Sequence, residues 1–220
     1  MALTRIGPNQ SINLASNVTG TLPVANGGTA ITSGFVNGNT KGLVHLSTTN
    51  ISDGDSEVEL TFSSSYDNYR LIISDLVPQS TSGTDGRIYL KRSGQSSYDT
   101  SSGNYWRTGY DMRSSSTTMN GTGIENGSNA QILGWNIDGD NANASSYNVV
   151  EIGGVNNTSA YTMIDCFSTQ YPRGDSTDDF ASVDYHYFHS QAGKVTNLKL
   201  SPGSGNWQSG KVLFYGYGES

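Results

Sequence analysis

The sequence predicts an all-β protein, an antiparallel β-sandwich of jelly-roll type carried behind an extended N-terminal arm. Three observations lead there. Gly, Ser, Thr and Asn supply nearly half of the 220 residues while charged residues make up 14%, a composition of turns and β-compatible Thr that lacks the Leu, Ala, Glu and Lys of helices. Period-two alternation of apolar and polar residues recurs from residue 41 onward, and no window sustains a three-four apolar spacing with caps. The 13 Tyr, 6 Phe and 3 Trp provide the burial that offsets chain entropy, so the chain folds rather than staying disordered. Its length suits one domain with a short appendage.

Residues 1–40 form the appendage. They carry no charge between Arg5 and Lys41 and are rich in Asn, Gly and Thr, with prolines at Pro8 and Pro23. A segment this neutral makes no core of its own, so it is expected to run extended across a partner or a neighbouring subunit. Residues 41–220 are expected to form the sandwich. Its first strand is Gly42 to Thr48. In Glu57-Val-Glu-Leu-Thr-Phe-Ser63, Val58, Leu60 and Phe62 share one face and Glu57, Glu59 and Thr61 the other, as on a half-buried strand. Tyr69 to Val77 follows, then a turn-rich loop from Pro78, then Gly86 to Ser93 with Ile88 and Leu90 alternating against Arg87, Tyr89 and Lys91.

Seven more strands are expected: Tyr105 to Met112, Ala130 to Ile137, Tyr147 to Gly153, Tyr161 to Gln170, Ala181 to His189, Lys194 to Leu200 and Lys211 to Tyr217. Asn120-Gly121, Asn126-Gly127 and Asp138-Gly139 read as tight hairpin turns, because these dipeptides accept positive φ. Many short strands at 8 to 15 residue spacing, with no fixed internal period, favour a sandwich over a solenoid or propeller.

The net charge of −7 disfavours nucleic acid, whose phosphates need clustered Lys and Arg. The N-terminus lacks a basic segment followed by an apolar one, and no apolar run nears 18 residues. The expectation is a chain made in a cytoplasm and not inserted into membrane. Cys166, the single cysteine, excludes an internal disulfide and reads as a packed hydrophobe in Met163-Ile-Asp-Cys-Phe167.

Leu14-Ala-Ser-Asn-Val-Thr-Gly-Thr-Leu-Pro-Val-Ala-Asn-Gly-Gly-Thr29 resembles a stretch that recurs near the start of tail-fibre and related virion proteins of tailed bacteriophages. The usual ending is Gly-Gly-Thr-Gly; here Ala30 takes the last position. Tyr66 to Leu76 and Gly193 to Gly216 are similar to β-rich virion proteins of aquatic and soil phages, and the three segments cover about a quarter of the chain. The resemblance implies a non-enzymatic virion component, usually a homotrimer. It would attach to other virion proteins, a tail adaptor or nozzle or the capsid, through Leu14, Val18, Leu22, Pro23, Val24, Gly27 and Gly28. Its β-domain would be displayed toward a host cell-surface glycan or protein for adsorption. A head fibre or capsid decoration protein with a structural role is the alternative, and a polysaccharide-cleaving spike a third.

Tyr98, Tyr105, Trp106 and Tyr110, set among Ser- and Gly-rich loops, are the candidate receptor-binding residues, since rigid rings stack on sugars or pack on proteins. The same residues also suit a core tryptophan and a tyrosine-lined subunit interface. No catalytic residue, cofactor or metal is expected. His186 and His189, three apart on a strand, point to opposite faces and read as surface or rim histidines. Asp53-Gly-Asp-Ser-Glu57, Asp138-Gly-Asp140 and Asp175 to Asp179 read as capped or solvated turns rather than calcium loops. Gly203-Ser-Gly205 precedes no helix that would hold phosphate. Of the five Glu, Glu125 and Glu151 have no motif that pairs them for glycoside hydrolysis.

Overall fold

The computed structural model describes residues 42–80, 84–114, 118–132, 137, 139, 144–171 and 180–218, with the side chains of 122 and 124–126 left aside. Their regular structure is all strand: β1 (Gly42–Ile51), β2 (Val58–Thr61), β3 (Tyr69–Pro78), β4 (Gly86–Arg92), β5 (Tyr105–Arg113), β6 (Asn120–Gly127), β7 (Ala130–Gln131), β8 (Ser145–Gly153), β9 (Thr162–Tyr171), β10 (Ala181–His189), β11 (Val195–Pro202) and β12 (Trp207–Gly218). Alternation is why these segments are strands. In β3, Tyr69, Leu71 and Ile73 are buried while Arg70, Ile72 and Ser74 lie between; in β9, Ile164 and Cys166 are buried while Met163, Asp165 and Phe167 are exposed. No helix among the described residues is long and apolar enough to cross a membrane.

The strands form two antiparallel sheets, an eight-stranded one in the order β1-β12-β3-β8-β9-β10-β5-β6 and a four-stranded one in the order β2-β11-β4-β7. Pairing is nested: β1 with β12, β2 with β11, β3 with β8 and β4 with β7. A long hairpin rolled over on itself produces this nesting, and with β5–β6 and β9–β10 set aside the order is that of a jelly roll. The two extra hairpins do not disturb it. They continue the larger sheet past β8 through β9, β10, β5 and β6, so this sheet is twice the width of its partner.

The core lies between the sheets, where Leu71, Ile73 and Phe214 of the large sheet meet Leu60, Ile88, Leu90, Leu198 and Leu200 of the small one. Asp75, a non-glycine residue at positive φ (53°), coincides with irregular pairing of β3 to β12 and shifts the alternation so that Leu76 is buried. Cys166 is buried as a small hydrophobe whose Sγ donates weakly to the Ile132 carbonyl, and burial pushes its thiol pKa up.

One expectation about these elements needs correction. Asn120-Gly121 and Asn126-Gly127 are not hairpin turns but the ends of edge strand β6, paired along β5. Of the strand expected from Ala130 to Ile137, the described residues include β7 at its start and an isolated bridge between Ile137 and Thr84 at its end, while residues 133–136 lie outside them. The attachment residues Leu14, Val18, Leu22, Pro23, Val24, Gly27 and Gly28 lie outside the described residues, as do Asp175 to Asp179.

Gly109 of β5 pairs with Tyr185 of β10. Its φ is +156°, and a Cβ there would collide with the Asp184 carbonyl oxygen and stand 2.9 Å from the Tyr185 Cα. Both obstacles are backbone, so the strands would have to part. Gly109→Ala is expected to lower stability by about 1 to 3 kcal/mol, read as a lower urea midpoint at unchanged slope. A midpoint equal to the parent's would show that the two strands yield freely.

Candidate functional site

The added strands give the large sheet an outer face with its own chemistry. β5 turns Trp106, Thr108 and Tyr110 outward and buries Tyr105 and Asp111. Register then sets three rows across β5, β10 and β9: Trp106–Phe188–Met163, Thr108–His186–Asp165 and Tyr110–Asp184–Phe167. Cross-strand neighbours on one face are close enough for their side chains to touch.

The first row is apolar. Trp106 stacks on Phe188 with centroids 5.7 Å apart and planes 13° from parallel, and Phe188 stacks on Tyr161 at 5.8 Å and 18°. Rings about 3.5 Å apart along the stacking direction must then be displaced sideways by about 4.5 Å. The result is a staircase, each ring leaving part of its face uncovered. Trp106 is 36% exposed and Tyr161 52%. The indole is held in place because Nε1 donates to the Gly103 carbonyl at 2.9 Å, which also accepts from Ser190 Oγ.

The second and third rows are polar. His186 Nδ1 lies 2.9 Å from Asp165 Oδ1 and Nε2 lies 3.7 Å from Asp184 Oδ1. Tyr110 donates its hydroxyl to Asp184 Oδ2 at 3.2 Å, and the neighbouring carboxylate raises the phenol pKa, keeping it a donor. Next to these rows β6 presents Gly123 opposite Thr108 and Gly121 opposite Tyr110. Where side chains are missing a hollow opens, about 490 Å³ in volume, lined by Trp106, Thr108, Gly123, Met163, His186 and Phe188 among others. That volume lies within the usual range for small-molecule sites.

The four predicted receptor-binding residues do not form one cluster. Trp106 and Tyr110 are on this outer face. Tyr105 is fully buried, its hydroxyl accepting from Leu90 N at 2.8 Å and donating to the Asp99 carbonyl at 3.2 Å, so it is a core residue and not a binding one. Tyr98 lies over the outside of the small sheet, the Lys199 and Lys91 ammonium groups 5.0 Å and 5.8 Å from its ring centroid. Burial and Glu59 push its phenol pKa up. It belongs to the opposite side of the sandwich. Alternation on β5 separates residues that are adjacent in sequence.

His186 and His189 do point to opposite faces, yet His189 is no rim histidine. It is fully buried, its Nε2 2.9 Å from Asp99 Oδ2, and its pKa is lowered chiefly by burial against the opposing pull of that carboxylate. Sequence reasoning missed Tyr161, Met163, Asp165, Asp184 and Phe188; the outward alternation of Asp184, His186 and Phe188 was the available signal, but only register joins them to Trp106.

Several other carboxylates among the described residues have structural partners. Glu151 bridges Arg70 and Tyr217, Glu57 pairs with Lys199 at 3.3 Å, and Asp55 caps its own turn by accepting from Ser52 N at 2.8 Å. Among the described residues no group of three or more His, Cys, Asp or Glu is placed to hold a metal ion. No protein-family model matches the sequence, and no curated protein and no solved structure matches it either.

Proposed function

We propose that this chain is a virion fibre protein of a tailed bacteriophage, a homotrimer that attaches through residues 1–40 and displays its β-domain for recognition of the host surface. The observation that carries the reading is the ring staircase and hollow on the outer face of the widened sheet. A sandwich stable on its own account gains nothing from leaving Trp106, Tyr161 and Met163 in water, and exposed rings with a few convergent polar groups are what recognition surfaces use. The Leu14 to Thr29 resemblance and the charge-free arm support attachment through that segment. The arm gains most by wrapping around copies of itself, which supports a cyclic trimer.

The full-length protein, added in excess to host cells, should compete with virions and reduce adsorption. Deleting residues 1–39 should leave the unfolding transition of the β-domain in place and abolish incorporation into particles. Normal incorporation of the truncated protein would overturn the attachment role. Unchanged adsorption, with the protein located on capsid faces, would transfer it to the head-fibre or decoration class.

A further inference from the structure

We infer that the hollow beside the ring staircase binds a polysaccharide of neutral hexoses, with Trp106 and Phe188 stacking on a sugar ring and His186, Asp165 and Asp184 taking its hydroxyls. This deepens the host-recognition reading and rests on it. The inference starts from shape. A pyranose has an apolar C–H face and a rim of hydroxyls, so it needs a flat apolar surface bordered by hydrogen-bonding groups. Here the row Trp106–Phe188–Met163 lies directly beside the row Thr108–His186–Asp165 on one sheet face, one residue pair further along the strands. The sideways offset of the rings leaves open faces for stacking.

Charge selects the kind of sugar. Asp165 and Asp184 flank His186, and Glu151 lies next to Asp165 in the same row. The Arg70 guanidinium further along is already paired with Glu151, and Arg107, which also lines the hollow, has its guanidinium engaged by Gln131 Oε1 and set 4.4 Å from the Tyr185 ring centroid. A uronate, sialic acid or phosphate-bearing glycan would enter this field against repulsion and against a net charge of −7. Neutral sugars instead donate hydroxyl protons to the carboxylates, and such charge-assisted bonds are the stronger kind. Gly123 lines the hollow, and Gly121, two residues along β6 and opposite Tyr110, adds no side chain beside it, so the site leaves room for a chain rather than a lone monosaccharide.

Two substitutions test this without touching the core. Trp106→Ala removes the exposed stacking surface. Gly123→Trp fills the hollow from its far wall, where a Cβ meets nothing nearer than the Arg107 carbonyl oxygen at 3.7 Å. The full chain is titrated by calorimetry with gluco-, galacto- and manno-oligosaccharides, with polysialic acid and polygalacturonate fragments, and with chitosan oligosaccharides. At least one neutral series is expected to bind. Trp106→Ala should weaken it about tenfold or more, and Gly123→Trp should abolish it at an unchanged unfolding midpoint. Binding of the anionic or cationic series alone, binding indifferent to both substitutions, or no binding of any neutral series would overturn the inference. Adsorption competition without neutral-glycan binding would leave host recognition standing and sink the glycan assignment; glycan binding without competition would do the reverse.

Discussion

Asp99→Ala is expected to destabilise the protein by about 3 to 5 kcal/mol. The carboxylate is 5% exposed and gathers donors from three places: Ser101 N at 3.0 Å, Asn104 Nδ2 at 2.7 Å and His189 Nε2 at 2.9 Å. Alanine leaves all three facing a gap, beneath a Tyr105 ring whose centroid is 4.8 Å from that of His189. Unmet buried donors forfeit their full desolvation energy, and the loop from Asp99 to Asn104 that positions Trp106 loses its anchor. Urea unfolding at neutral pH measures the effect. A loss below about 1 kcal/mol would mean that water fills the gap and satisfies these donors.

The same pair makes stability depend on pH in a defined direction. Burial of His189 is the largest influence on its pKa and lowers it, so the unfolded chain binds the proton more readily than the folded one. Stability is therefore full above the unfolded histidine value of about 6.5 and falls as pH drops below it. For Asp99, burial works upward, but the hydrogen bonds from Ser101, His189 and Asn104 outweigh it and the folded pKa is lowered. Its contribution holds above the unfolded carboxylate value of about 3.9 and is lost as pH falls further. Two descending steps are expected, and His189→Gln should remove the first.

The sequence made the pleat legible and the register invisible. Val58, Leu60 and Phe62 are buried on one face of the segment at β2, and Ile88 and Leu90 on one face of β4, as alternation alone requires. Edge strand β6 escaped because Asn-Gly-Thr-Gly-Ile-Glu-Asn-Gly has turn composition throughout; its pairing with β5, not its own propensity, makes it a strand. One of those glycines, Gly123, lines the hollow, so the feature that concealed the strand also helps build the site. Trp106 and Tyr110 could be found as outward rings once β5 was recognised. Phe188 and Met163 could not, since their place beside Trp106 depends on two successive pairings, across 82 and 25 residues of sequence. Tyr105 shows the converse error, in which nearness along the chain was taken for nearness in space.

Tyr69→Ala should cost about 3 to 5 kcal/mol, for a reason rooted in the jelly roll itself. The ring is fully buried on β3, parallel to Phe214 of β12 at 5.2 Å and 11°, and 4.6 Å from Phe62, which follows β2 in the opposing sheet. Its hydroxyl donates to the Ser63 carbonyl at 2.6 Å, and burial pushes the phenol pKa up to about 12. One side chain thus ties the central strands of the large sheet to the edge strand of the small one, over which the rolled hairpin closes. Truncation opens a cavity bounded by Phe62, Phe214 and Tyr66, and aromatic rings collapse into such a space poorly because they cannot bend. Tyr69→Phe keeps the rings and loses only the bond to Ser63, so about 1 kcal/mol is expected. The pair Tyr69→Ala and Phe214→Ala should combine for less than the sum of the single losses, because each empties space that the other fills. Strict additivity in that cycle would mean that the two rings hold their sheets independently, and that closure of the roll depends on the aliphatic contacts of Leu71, Leu90 and Leu198 instead.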